Sequence, residues 1–213
     1  MARTPLTRRR LLGLDRSGGP PPATQKGQPL NPWTIPNAIG LIRLALIPVF
    51  LILALGSGDG RVASASVLYA VIGGTDYLDG MAARITGQYS RLGALLDPLT
   101  DRGLVISGVI VCWHFELLPR WALALLAARE ALMLVLTQLA LRHDLDLNIN
   151  MLGRWAVWPT MFSLFLAMVS VTWVAEALLY FGLALTLGAT VVYIRDGIRE
   201  LRRSNLSKGS TSD

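Results

Sequence analysis

Cysteine is almost missing from this sequence. Cys112 stands alone, so no intrachain disulfide and no cysteine-built zinc site is available. Histidine is nearly as scarce: His114 and His143 lie near expected loop ends, with no helical partner at metal-ligating spacing. Charged residues are only 16% of the 213, against about a quarter in a soluble domain. Neither a Walker-type phosphate loop nor a nucleophile elbow is present. What abounds is apolar: 53% of residues, arranged in long runs, with a mean hydropathy of +0.48. That excess excludes a disordered chain, a collagen, a disulfide scaffold and a single soluble core, and points to a membrane protein. Cys112 sits inside one such run, where a packed, inert thiol is expected.

The net charge of +6 is unevenly placed. Eleven of the twenty cations fall in the two tails, from Arg3 to Lys26 and from Arg195 to Lys208. Basic tails flanking apolar spans follow the positive-inside rule and attract anionic headgroups, so no nucleic-acid partner is expected. Both tails then lie in the cytoplasm, which requires an even number of spans.

Residues 1–30 contain Gly18-Gly19-Pro20-Pro21-Pro22 and no apolar core long enough for a signal peptide, and read as a retained, disordered basic tail. A first span opens at Thr34-Ile35-Pro36-Asn37, where Pro36 suits a first helical turn, and Pro48 predicts a kink before the end near Leu55. Five more follow near 62–83, 93–114, 118–142, 154–174 and 176–195. Each is about 20 residues, enough to cross roughly 30 Å of hydrocarbon as a helix, and none alternates as a barrel strand does. The expected fold is therefore all-α and polytopic: a six-helix membrane domain over 31–198, then a basic tail over 199–213. Trp33, Trp113, Trp121, Trp155, Trp158 and Trp173 fall near span ends, as an interfacial belt does. The location that follows is the cell inner (plasma) membrane.

Four carboxylates fall where spans should have none: Asp76, Asp79, Asp97 and Asp101. Each unpaired one costs several kcal/mol in an apolar setting. The first two are spaced i, i+3 and the last two i, i+4, so each pair shares a helix face. The polar stretch from Gly80 to Gly93 is short enough to fold one helix back on the next. Facing pairs make an oxygen cage that only hard divalent cations render tolerable, Mg²⁺ or Mn²⁺ above others. Gly80 and Ala83 leave room for a ligand to approach backbone, and Arg84 can clamp a phosphate bidentately.

The run from Asp76 to Asp101 reads D-x2-D-G-x2-A-R-x8-G-x3-D-x3-D, complete at all eight fixed positions. It resembles the signature of the CDP-alcohol phosphatidyltransferase family, and the six-span layout extends the resemblance over about 34 to 195. The resemblance implies a homodimeric membrane enzyme that binds CDP-diacylglycerol. In it, Asp76, Asp79, Asp97 and Asp101 hold two divalent cations and Asp101 is also the general base. Gly80 and Arg84, with Ala83 and Gly93 of the same pattern, lie on the CDP-lipid side. Ser90 and Asn37 resemble family positions near the nucleotide and at the first helix start.

The acceptor is read from neighbouring residues. Asp97-Pro98-Leu99-Thr100-Asp101-Arg102 resembles the D-P-x-A-D-K/R form of phosphatidylglycerophosphate synthases and CMP-forming cardiolipin synthases, departing from it at Thr100. Inositol-type enzymes tend to lack that proline. A phosphomonoester acceptor needs cations, and Arg129, Arg154, Arg43 and Arg142 are the candidates. Arg129-Glu130 resembles the Arg-Glu pair of glycerophosphate enzymes. Gly153-Arg154-Trp155-Ala156-Val157 lacks their second lysine and threonine. Glycerol 3-phosphate is the first expectation, phosphatidylglycerol the alternative, and an ion-coupled transporter a remote one.

Overall fold

The computed structural model describes residues 34–86, 90–142 and 151–209. Those residues form six α-helices and no strand: α1 (Ile35–Leu55), α2 (Ala63–Thr86), α3 (Arg91–His114), α4 (Arg120–Arg142), α5 (Met151–Val169) and α6 (Trp173–Gly209). The tail over 1–30 lies outside the described residues.

The start of α1 is built by its own sequence. Thr34 holds an extended N-cap backbone (φ −129°, ψ 151°), and its Oγ1 accepts from the Asn37 amide at 3.4 Å. Pro36 occupies the first turn, where a missing N–H costs nothing, and Pro48 is absorbed inside the helix. The buried residues Asn37, Gly40, Arg43, Ile47, Phe50 and Ala54 recur at helical spacing on one face. The opposite face exposes Leu41, Ile42, Val49, Ile52 and Leu53. Only 28% of the apolar stretch of α1 is buried within the protein, leaving most of its apolar surface exposed. The stretch Trp173–Arg195 of α6 behaves likewise, at 33%. These two helices are long and apolar enough to cross a membrane.

Two compact units divide the chain. One takes in the chain up to Ser57 together with Val62–Ser107, and the other Gly58–Arg61 together with the chain from Gly108. In the first unit α1 packs against α2, with the Phe50 and Tyr69 rings 5.2 Å apart and tilted by 54°. Gly40 meets Leu96, and Gly103 meets Ile47.

In the second unit α6 packs against α5 and α4. Gly182 lets α6 approach α5 so closely that an added Cβ would lie 2.9 Å from the Thr160 amide nitrogen. Ser163 Oγ donates to the Ala175 carbonyl at 2.6 Å. Gly60 adopts φ +72° against the Phe115 ring, a conformation and a space that only glycine fits. Cys112 is fully buried, as expected.

The tryptophans expected near span ends lie close to helix ends. Trp113, next to last in α3, sits under the Arg120 guanidinium (5.7 Å), and Trp121 near the start of α4 stacks on Tyr180 at 5.4 Å. Trp173, opening α6, and Trp158 are strongly exposed. Trp33 and the side chain of Trp155 lie outside the described parts of the chain.

One boundary differs from the sequence expectation. The α2–α3 connection shrinks to 87–90, because Met81-Ala82-Ala83-Arg84 are strong helix formers and carry α2 on to Thr86. At the other end, α6 continues past its apolar stretch through the basic residues to Gly209, as a basic helix end read from the sequence does.

Candidate functional site

The site begins where α1 and α3 begin. Ser90 precedes α3 and caps it: its Oγ accepts from the Gly93 amide at 2.9 Å. The same hydroxyl donates to Asn37 Oδ1 at 2.6 Å, across 53 residues of sequence. Both side chains are buried, so together they fasten the first turn of α1 to the first turn of α3. Gly93 belongs to this arrangement for a reason of space. A Cβ there would lie 2.8 Å from Asn37 Oδ1 and 3.2 Å from Ser90 Oγ.

One turn further along α3 come Asp97 and Asp101, one above the other at i, i+4. Asp97 is exposed and Asp101 half-buried, so both carboxylates retain access from outside. Between them Thr100 is fully buried, with Oγ1 donating to the Leu96 carbonyl at 2.9 Å. That bond satisfies the hydroxyl within the helix, so threonine fits where the sequence pattern has alanine.

Behind Asp101 stands Arg43 of α1, one of the largest fully buried side chains. Its Nη2 donates to Asp101 Oδ1 at 3.3 Å and its Nε to the Ile72 carbonyl of α2 at 3.0 Å. The sequence puts Arg43 among the candidate acceptor-binding cations; the structure places it against a carboxylate of the motif.

Asp76, Asp79, Gly80, Ala83 and Arg84 lie on the last turns of α2, leading into the short connection to Ser90. Their side chains lie outside the described ones. Among the described residues no group of three or more His, Cys, Asp or Glu side chains converges on one point. The described half of the donor set does have the right chemistry for a hard cation: two accessible carboxylates one turn apart, with no nitrogen or sulfur ligand beside them.

Arg129 belongs to the second unit. It is buried on α4, paired with the equally buried Glu130, and its Nε donates to Thr190 Oγ1 of α6 at 3.2 Å. Thr190 Oγ1 in turn donates to the Thr186 carbonyl at 2.8 Å. A charge this deep is tolerated only with such partners. Arg142 ends α4 and Arg154 lies in the first turn of α5, both with side chains outside the described ones.

Sequence reasoning missed the roles of Ile72 and Thr190, the one a backbone acceptor and the other a lone threonine in an apolar run. Neither carries a signal in its residue type.

Set beside known proteins, this arrangement has a family. The sequence profile of the CDP-alcohol phosphatidyltransferases matches residues 33–188, and the chain belongs to that family of phospholipid-synthesising transferases. It is 35% identical over 196 residues to a CMP-forming cardiolipin synthase of Streptomyces coelicolor, covering 88% of this chain and 91% of that one. It is 31% identical over 138 residues to a CDP-diacylglycerol–glycerol-3-phosphate 3-phosphatidyltransferase of Bacillus subtilis, covering 59% and 72%. A CMP-forming cardiolipin synthase of Rattus norvegicus is 37% identical over 105 residues, covering 49% of this chain and 34% of its own.

Proposed function

We propose that the protein moves the phosphatidyl group of CDP-diacylglycerol onto a primary hydroxyl of a glycerol-type acceptor, releasing CMP. The observation that carries this reading is the i, i+4 carboxylate pair Asp97–Asp101 opening α3, next to the capped Ser90–Gly93 turn and backed by Arg43. Asp76, Asp79, Asp97 and Asp101 would hold two divalent cations, Mg²⁺ or Mn²⁺. Bound there, the cations supply neutralising charge at a diphosphate as the leaving group departs. Arg84 grips a phosphate oxygen pair, and Gly80 and Ala83 keep the α2 surface low enough for the diphosphate to approach. Asn37, Ser90 and Gly93 fix the helix starts that border the nucleotide. Asp101 takes the proton from the acceptor hydroxyl. The new P–O bond forms at the phosphorus that bears diacylglycerol, and the bond to CMP breaks.

Phosphatidylglycerol as acceptor, which makes the product cardiolipin, is supported by the Streptomyces relative, whose likeness runs nearly end to end. The engagement of Arg129 by Glu130 and Thr190 agrees with an acceptor that needs fewer free cations. Glycerol 3-phosphate is the second reading. The Bacillus relative favours it, and Arg129, Arg142 and Arg154 would then serve its phosphate.

All six helices cross the membrane in this proposal, within a domain over 31–198 and as a homodimer. Both basic tails, including 199–213, face the cytoplasm of the inner (plasma) membrane. The exposed apolar faces of α1 and α6 and the concentration of cations in the tails support it.

The test is CMP release by the purified protein in vesicles containing CDP-diacylglycerol and Mg²⁺ or Mn²⁺, with each acceptor supplied separately. Release with phosphatidylglycerol alone establishes the first reading, and release with glycerol 3-phosphate the second. Silence with both overturns the acceptor class.

A further inference from the structure

One guanidinium touches both arms of the acidic hairpin. Arg43 Nε donates to the Ile72 carbonyl, and Ile72 sits one helical turn before Asp76 on α2. Its Nη2 donates to Asp101, the last acid of the motif, on α3. The Ile72 carbonyl also accepts from Thr75 Oγ1 at 3.0 Å, so this turn of α2 is a collection point for side-chain donors. The Arg43 side chain is only 2% exposed while that of Asp101 is 38% exposed. The guanidinium therefore lies on the protein side of the carboxylate, away from the face an incoming molecule reaches.

From this geometry we infer that Arg43 is a positioning residue for Asp101 and not part of an acceptor pocket. The inference rests on the phosphatidyl-transfer reading for what Asp101 does, but the contact itself does not. A planar fork with donors at fixed angles can engage a main-chain carbonyl of α2 with one nitrogen and a carboxylate of α3 with another. It thereby sets the carboxylate's rotation and the α2–α3 spacing at once. Gly103 assists from the α3 side, leaving room for Ile47 one turn after Arg43, where an added Cβ would lie 3.2 Å from Ile47 Cδ1. Lysine in the same place keeps the charge but has a single ammonium, which cannot span both acceptors in that fork.

The test uses the full-length protein in vesicles with Arg43→Lys, Arg43→Gln, Asp101→Asn and the Arg43→Gln/Asp101→Asn double variant. Activity is scored per folded molecule, well below each variant's unfolding temperature. Arg43→Lys is expected to lower kcat about 10²-fold, the cost of a misplaced reacting group, with KM for the acceptor unmoved. Thermal unfolding in EDTA supplies a readout independent of catalysis. Asp101→Asn removes one counter-charge from a buried guanidinium and lowers Tm, and adding Arg43→Gln restores part of the loss. A raised acceptor KM with kcat intact would make Arg43 an acceptor ligand and overturn the inference. Wild-type kcat in Arg43→Lys, or additive Tm changes in the cycle, would overturn it too. If the wild-type protein releases no CMP with any acceptor, the transfer reading fails while the EDTA cycle still decides the contact.

Discussion

Asn37 and Ser90 meet through a 2.6 Å hydrogen bond that is buried at both ends. Ser90 spends its hydroxyl twice, accepting from the Gly93 amide and donating to Asn37. Replacing Ser90 with alanine removes the α3 cap and leaves a buried amide oxygen short of its donor. The expected cost is about 1–3 kcal/mol, seen as a lower Tm. Gly93→Ala attacks the same junction sterically, through a Cβ set 2.8 Å from Asn37 Oδ1, and is expected to lower Tm and CMP release together. A Gly93→Ala protein of unchanged Tm would show that the first turns of α1 and α3 are not locked as described.

Gly182 and Gly188 make a matched pair within α6. At Gly182 an added methyl meets the Thr160 main chain at 2.9 Å, which cannot swing aside as a flexible side chain does. Gly182→Ala is expected to destabilise by about 1–3 kcal/mol through overpacking. Gly188 has open space around the same position, so Gly188→Ala should stabilise by up to about 1 kcal/mol through helix propensity. Denaturation of the two variants in one detergent gives the sign of each.

Glu130 and Arg129 are each under a tenth exposed. Glu130→Gln leaves a buried guanidinium without its carboxylate, and a loss of about 3–5 kcal/mol is expected. Arg129→Met with Glu130→Met should recover most of it, since well-packed apolar residues often replace a buried pair without cost. Should Arg129→Met instead leave stability alone and raise the KM for glycerol 3-phosphate, Arg129 would be serving the acceptor's phosphate.

Asp97 and Asp101 should respond differently to amidation. Asp101→Asn removes the proposed proton acceptor, and kcat is expected to fall about 10²–10⁴-fold even with saturating cation. Asp97→Asn keeps that base and should chiefly raise the Mg²⁺ or Mn²⁺ concentration needed for half-maximal CMP release. Chelation with EDTA is expected to abolish release, and either cation to restore it. A fully active chelated protein would remove divalent metal from the proposal.

Much of this is legible from residue order alone. The first helix start announces itself through Thr34-Ile35-Pro36, and the motif fixes Asp97 and Asp101 on one face of α3. Hydropathy places the apolar cores of the helices. Residue type alone also leaves Arg43 and Arg129 among possible acceptor contacts. A buried arginine and a ligand-binding arginine look identical in a sequence. Only packing shows that Asp101 and the Ile72 carbonyl hold the first, and Glu130 and Thr190 the second.

The unbroken run of α6 has a mechanical consequence. Its apolar stretch ends at Arg195, yet the helix carries on through residues 196–209 as an arm of about 21 Å at 1.5 Å per residue. An intact helix transmits rotation along its axis, so Arg199, Arg202, Arg203 and Lys208 travel with the apolar stretch as one lever. With α6 crossing the membrane as proposed, the bilayer thickness that sets the tilt of Trp173–Arg195 would also set how far those cations swing relative to the headgroup plane. In a thicker membrane the lever would stand steeper, and in a thinner one it would lie flatter.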